Sequence, residues 1–232
     1  MAGATIVFDL DGTLVDTAAD IAAAANALLA EQELPALTLD QVRPMIGGGG
    51  RALLIKAFAA AGVSVGEPLL SDMAERLTAL YRPRIAVESR PFPGVAAALN
   101  ALIAGGARLA ICTNKQTELA RALLAALGLL DRFAAVVGPD LAGAAKPDPA
   151  HLLAAIEAAN GSPLRAVMVG DSASDAGAAR GAGIPLILVE FGYTDIPARA
   201  LAPDILIGHF ADLLPACAAL LAPAPAAIAA CP

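Results

Sequence analysis

The sequence predicts an α/β protein, a doubly wound parallel sheet interrupted by an inserted helical unit. Three observations lead there. Short β-branched apolar runs recur along the chain and are continuous rather than alternating in polarity, the pattern of parallel strands covered on both faces. Longer helical stretches separate these runs, giving the strand–helix rhythm of a doubly wound sheet. One long interval, from Thr17 to about Arg90, breaks the rhythm with helical patterns and no strand.

Taken in order, the first strand runs from Thr5 to Leu10. The interval that follows holds helical patterns at Ala18 to Glu31, Leu39 to Met45, Arg51 to Ala61 and Pro68 to Tyr81. It exceeds an ordinary crossover and reads as an insertion over residues 17–90. The chain returns through Tyr81-Arg82-Pro83-Arg84 and Arg90-Pro91-Phe92-Pro93-Gly94, so residues 1–16 and 91–232 form the core. A helix from Pro93 to Ala104 leads to the second strand, Arg108 to Cys112. Another, from Gln116 to Leu127 and stopped by Gly128, leads to the third, Phe133 to Val137. Pro149 starts a helix that closes near Ala159 and Gly161, and the last two strands are Ala166 to Val169 and Pro185 to Val189. The Ala/Pro-rich segment 222–232 reads as a loosely ordered tail.

Composition narrows the function. Of the 232 residues 58% are hydrophobic, but much of that is alanine, which suits soluble helices. No apolar run approaches the roughly 20 residues of a membrane span, so a soluble protein without a membrane partner is expected. A net charge of −7, 3% aromatic residues and no Trp argue against nucleic acid. Cys112, Cys217 and Cys231 have neither metal nor redox spacing and fit a reducing cytoplasm. The N-terminus enters a strand at once, with no signal-peptide pattern, so cytoplasmic localisation is expected.

The chemistry lies at strand ends. Asp9 and Asp11, at i and i+2 after an apolar run, point to one side of the first strand's end. That edge of an open α/β sheet is where ligands sit. Gly12 permits close backbone approach, although Asp and Gly alone are also common turn residues. Thr113-Asn114-Lys115 offers a hydroxyl and backbone N–H groups at a helix start, either a phosphate seat or an N-cap. Lys146 is held before a helix by Pro147 and Pro149, and alone reads as a solvated charge. Asp171 and Asp175 supply oxygen ligands for a hard cation, or a helix cap.

Present together and in this order, the four motifs resemble the haloacid dehalogenase superfamily of phosphohydrolases over nearly the whole chain. The resemblance implies a Rossmann-like sheet of order 5-4-1-2-3, with all four motifs at one edge and the insertion as a helical cap. It implies a Mg²⁺-dependent phosphatase acting on a small phosphorylated metabolite, with Asp9 as nucleophile and Asp11 as general acid and base. Mg²⁺ would be held by the Asp9 carboxylate, the Asp11 backbone carbonyl and Asp171, with Asp175 in support. Lys146, Thr113 and the backbone near Gly12 and Asn114 would stabilise the phosphoryl oxygens. Asp11 disfavours the metal-free dehalogenases, which lack that acid, and the phosphonate-cleaving members, which carry another residue there.

Within that superfamily, the stretches Ile46 to Leu54, Arg90 to Val95 and Phe191 to Thr194 are similar to phosphoglycolate phosphatases, which implies 2-phosphoglycolate as substrate. Gly47 to Gly50 let backbone approach a small ligand, and Arg51 is placed to fork onto its carboxylate. Equally, the glycines read as a linker and Arg51 as a solvated residue. Lys56 is a weaker candidate. A sugar-phosphate mutase of the β-phosphoglucomutase type and a broad phosphatase or pyrophosphatase are the alternatives. A non-enzymatic binding module has no use for a nucleophile, an acid and a metal site kept together. His151, read as a helix-surface residue, and His209 fall outside the motifs and are expected to be structural. Monomer and homodimer both fit.

Overall fold

The computed structural model describes residues 1–194 and 196–222. Its first half runs β1 (Thr5–Phe8), β2 (Val15–Asp16), α1 (Ala18–Glu31), α2 (Leu39–Val42), α3 (Gly49–Ala60), α4 (Leu69–Tyr81) and β3 (Arg90–Pro91). The second half runs α5 (Val95–Ala104), β4 (Arg108–Cys112), α6 (Thr117–Ala126), β5 (Ala135–Val137), α7 (Pro139–Ala142) and α8 (Pro149–Ala158). It ends with β6 (Ala166–Gly170), α9 (Ala173–Ala182), β7 (Leu186–Val189), β8 (Ile205–Ile207) and α10 (Leu213–Leu221).

The apolar runs pair into one sheet ordered β5-β4-β1-β6-β7-β8, with every pair parallel. β1 lies at its centre, with Thr5 to Phe8 in register with Arg108 to Ile111 on one side and Ala166 to Val169 on the other. Its alternate residues serve two cores. Ile6 and Phe8 pack with Leu99, Leu123 and Leu213, whereas Val7 packs with Leu152, Ile156 and Ala179. Burial on both faces is the physical reason the strand reads as a continuous apolar run. The expected order 5-4-1-2-3 is therefore present as β7-β6-β1-β4-β5, and β8 adds a sixth strand beyond β7.

Between β2 and β3, α1 to α4 surround a separate apolar cluster that includes Leu28, Leu54, Phe58 and Leu77 and takes Leu119 from α6. The helix expected over Leu39 to Met45 splits into α2 and a 3₁₀ turn, Arg43–Met45, with Pro44 inside it. β2 and β3 pair antiparallel, Val15 with Pro91 and Asp16 with Arg90, so the two connections to the sheet lie side by side.

One expectation is overturned. His151 is fully buried rather than on a helix surface, because the spacing His151, Leu152, Ala155, Ile156 forms the inward face of α8. Its Nε2 lies 3.1 Å from the Val137 carbonyl. No described helix is long and apolar enough to cross a membrane. Beyond Ala222, the expected tail lies outside the described residues.

Candidate active site

Strand pairing carries the first motif to the carboxyl edge of the sheet, where the Asp9 N–H donates to the Val169 carbonyl at 2.9 Å. The Thr113 N–H likewise donates to Val137 at 3.2 Å. The loops after β1, β4 and β6 thus start from backbone still held by the sheet, and Asp9, Thr113 and Asp171 meet at one edge.

Lys146 joins them from the loop before α8. Its Nζ donates to Asp175 Oδ1 at 2.7 Å and lies 2.9 Å from Asp9 Oδ1, an ion-pair contact outside hydrogen-bond geometry. Asp175 serves two purposes. Besides meeting Lys146, its Oδ2 accepts from the Ser172 N–H at 3.0 Å and the Ser172 hydroxyl at 2.7 Å, capping α9. Asp171 is fixed by Thr13 Oγ1 at 2.7 Å and the Tyr193 N–H at 2.8 Å.

Asp9, Asp171 and Asp175 are all buried, and one carboxylate oxygen from each lies within 4.8 Å of the others. A single ammonium, Lys146, stands against three carboxylates. Burial, then the nearby Asp175 and Asp9 charges, pushes Asp171 up to about 8. Burial also pushes Asp9 up to about 6 despite the opposing Lys146. Uncompensated, such a cluster is costly. Its hard oxygen donors and excess negative charge fit a divalent cation.

Asp11 faces away from this cluster. Its Oδ1 accepts from Thr17 Oγ1 at 2.8 Å and from Lys115 Nζ at 2.5 Å. Gly12 acts through its missing side chain: at φ +82°, an added Cβ would sit 2.7 Å from Asp171 Oδ2 and 2.8 Å from the Tyr193 ring. Its N–H is already donated to Val15 at 2.9 Å. The Asn114 side chain is also fully engaged, accepting from the Lys146 N–H at 2.9 Å and donating to the Lys146 carbonyl at 3.0 Å and the Gly47 carbonyl at 2.9 Å. It clamps the Lys146 loop and reaches across to the glycine segment before α3.

Two cavities meet here. A small one, about 20 Å³, is lined by Asp9, Asp11, Thr113 and Lys115 together with Gly47 and Gly49. A large one, about 650 Å³, opens beyond it between the helical insertion and the sheet edge. Arg51 lines the large cavity, but its half-exposed guanidinium is paired with Glu67 and donates to Ser71 Oγ at 3.0 Å. Lys56 is exposed, with Nζ 3.3 Å from the Pro44 carbonyl. His209 is exposed, and its Nδ1 accepts from the Ala211 N–H at 3.0 Å.

The site also draws on residues the sequence did not single out. Lys115 follows the motif pair Thr113-Asn114, and Tyr193 lies in the stretch Phe191 to Thr194, so a signal was present for both. Thr13 ends the first motif and Tyr81 opens the stretch that returns to the core, but the contacts of both, like those of Thr17, arise only from the fold.

Comparison with known proteins supplies the family. The haloacid dehalogenase-like hydrolase model matches residues 6–189. The chain is 51% identical over 224 residues to a phosphoglycolate phosphatase of Caulobacter vibrioides, covering 97% of this chain and 94% of the relative. It is 45% identical over 210 residues to that of Agrobacterium fabrum, covering 90% of each. Among solved structures, a predicted phosphoglycolate phosphatase from Haemophilus somnus superposes with a TM-score of 0.85 at 31% identity, covering 91% of this chain and 96% of its own. CbbY from Rhodobacter sphaeroides, solved in complex with phosphate, gives 0.77 at 26% identity, covering 92% and 96%. On this evidence the chain belongs to the haloacid dehalogenase-like hydrolases, as a phosphoric monoester hydrolase.

Proposed function

We propose that this enzyme hydrolyses 2-phosphoglycolate through a phospho-aspartate formed on Asp9, with Mg²⁺ as its metal. The observation that carries the reading is the buried Asp9 carboxylate on the wall of a cavity, with Lys146 at 2.9 Å and Asp171 and Asp175 beside it. The names of the relatives support the substrate.

Asp9, Asp171 and Asp175 would hold the metal with the Asp11 backbone carbonyl, and the bound cation would supply positive charge against the phosphoryl oxygens. Asp9 attacks phosphorus as the P–O bond to the leaving oxygen breaks, giving the acyl phosphate. Lys146 and the Thr113 hydroxyl stabilise the phosphoryl oxygens during transfer. Asp11 gives its proton to the departing glycolate oxygen. It then takes one from the water that cleaves the acyl phosphate, which returns Asp9 and releases phosphate. Residues 17–90 act as a cap that excludes bulk water while this occurs. The free, buried Cys112 and Cys217 suit a reducing cytoplasm.

The test is phosphate release from 2-phosphoglycolate and a panel of sugar phosphates, with Mg²⁺ and with EDTA. Fast, Mg²⁺-dependent release from 2-phosphoglycolate above the panel is expected, and Asp9→Asn should lower kcat by roughly 10⁴-fold or more while leaving circular dichroism unchanged. Release spread evenly over the panel removes the substrate assignment. Unimpaired turnover by Asp9→Asn removes the nucleophile.

A further inference from the structure

The large cavity needs a feature that recognises the part of the substrate other than phosphate. Its lining holds four charged side chains: Asp11, Arg51, Glu75 and Lys115. Two are anions. Arg51 is half-exposed and its charge is already met by Glu67, with Ser71 occupying a further donor. Lys115 differs in every respect. Its side chain is 7% exposed and it lines both cavities. It therefore stands between the small chamber beside Asp9 and the larger space beyond.

The surroundings of Lys115 hold it there as a cation. Nζ donates to Asp11 Oδ1 at 2.5 Å and to the Tyr81 hydroxyl at 3.2 Å, and it lies 4.9 Å from the centre of the Tyr81 ring. An ammonium has three donors. Two are engaged, and one of those partners, Tyr81, belongs to the helical insertion. A monoester whose phosphorus sits at Asp9 places its leaving oxygen at Asp11, and the next atoms of a short substrate extend past Asp11. A second anionic group two or three bonds from that oxygen arrives beside Lys115.

We infer that Lys115, rather than Arg51, binds the second anionic group of the substrate, so that the enzyme selects short phosphomonoesters carrying a carboxylate or similar anion near the ester oxygen. The inference rests on the hydrolase reading above and names the residue that sets its substrate class. Without substrate, Lys115 is held by Asp11 and Tyr81. With substrate, its remaining donor and part of its charge turn to the incoming carboxylate, in a buried setting where such a pair is strong. A neutral ester of equal size gains nothing from it.

The experiment compares 2-phosphoglycolate with ethyl phosphate, which keeps the monoester and lacks the carboxylate, in the wild type, K115M, K115Q, K115R and R51A. The readout is the ratio of kcat/KM for the two substrates, so a loss common to both cancels. The wild-type ratio is expected to be high and to fall by roughly 30-fold or more in K115M, chiefly through KM for 2-phosphoglycolate. K115Q, which keeps donors for Asp11 and Tyr81 without the charge, should fall likewise and serves if K115M does not fold. K115R should recover at least part of the ratio, and R51A should keep it within about threefold. A ratio retained by both neutral variants, or lost in R51A instead, overturns the inference and leaves the hydrolase reading intact. A wild type that prefers a different two-anion ester, with that preference lost in K115M, upholds Lys115 and removes 2-phosphoglycolate. A wild type indifferent to any second anion removes both.

Discussion

Asp171 sits in the least favourable electrostatic position of the site, buried beside two other carboxylates with Lys146 as their shared cation. Its carboxyl is raised from 3.8 to about 8, so in the metal-free protein the folded state binds its proton more tightly than the unfolded chain does. The sign follows: this contribution to stability is complete below about pH 4 and is lost as pH rises towards 8. Metal binding runs the other way, because it requires the deprotonated ligand. In EDTA the wild type should therefore melt lower at pH 8 than at pH 5, and Asp171→Asn should flatten that difference. Added Mg²⁺ should raise Tm more at pH 8 than at pH 5. A metal-free Tm equally pH-dependent in wild type and variant would falsify the assignment. Asp171 was singled out in the sequence because it follows a buried strand in motif order, although alone it reads equally as a helix cap. Lys115 was not, since a lone lysine next to Thr-Asn is indistinguishable from a solvated charge until Tyr81 is seen beside it.

At the scale of elements, the loop after β7 does more than connect. The Tyr193 N–H holds Asp171, while the Tyr193 hydroxyl accepts from the Thr17 N–H at 2.7 Å and the Ala18 N–H at 3.0 Å and donates to Asp16. Thr17 stands at the N-cap of α1 but makes no side-chain cap bond, its hydroxyl being donated to Asp11. Tyr193 thus supplies the cap from outside the helix and ties the buried carboxylate cluster to the start of the helical insertion. Gly192 is required for this, because an added Cβ would lie 2.1 Å from the Asp171 Cβ. Tyr193→Phe leaves the buried Thr17 N–H unpaired and the Ala18 N–H with only its 3.4 Å contact to Asp16 Oδ1, and should cost about 1–3 kcal/mol, read as a Tm lowered by roughly 2–12 °C. It should alter kcat and KM together, as a hinge lesion does. An unchanged Tm would show that water replaces the hydroxyl at no cost. The sequence pattern made most helices readable, and also β1, β4, β5, β6 and β7, because each of these strands lies in a run of four or more apolar or β-branched residues. β8 escaped it: its apolar run is only Ile205 to Ile207, between Asp204 and Gly208, whereas the equally short β5 sits in the five-residue run Phe133 to Val137. The tie made by Tyr193 escaped for another reason, spanning 176 residues of sequence.

For the molecule as a whole, the two cavities impose a requirement. The chamber beside Asp9 measures about 20 Å³, room for roughly one water and not for a phosphate. Its lining includes Gly47 and Gly49 from the helical insertion, and Gly49 approaches so closely that an added Cβ would meet the Asn114 carbonyl at 3.0 Å. A phosphate at Asp9 is therefore expected to need the insertion drawn back from the sheet edge. Away from the hinge at Thr17, polar links across that seam include Asn114 to the Gly47 carbonyl, Lys115 to Tyr81, Arg82 to Glu118, and Arg43 to Asp16 at 3.6 Å. Within the insertion the connection is firmer. Asp20 Oδ2 accepts from the Glu88 N–H at 2.9 Å, the Ser89 N–H at 2.8 Å and the Ser89 hydroxyl at 2.8 Å, fastening α1 to the returning chain. The helices have their own apolar cluster, so they can move as one body about β2 and β3. Hydrogen–deuterium exchange reads this motion. Amides over residues 46–54 should exchange faster than those of β1, and orthovanadate with Mg²⁺ should slow them while leaving β1 unchanged. Equal protection of residues 46–54 with and without the phosphate analogue would mean that the seam does not open and that phosphate reaches Asp9 by another path.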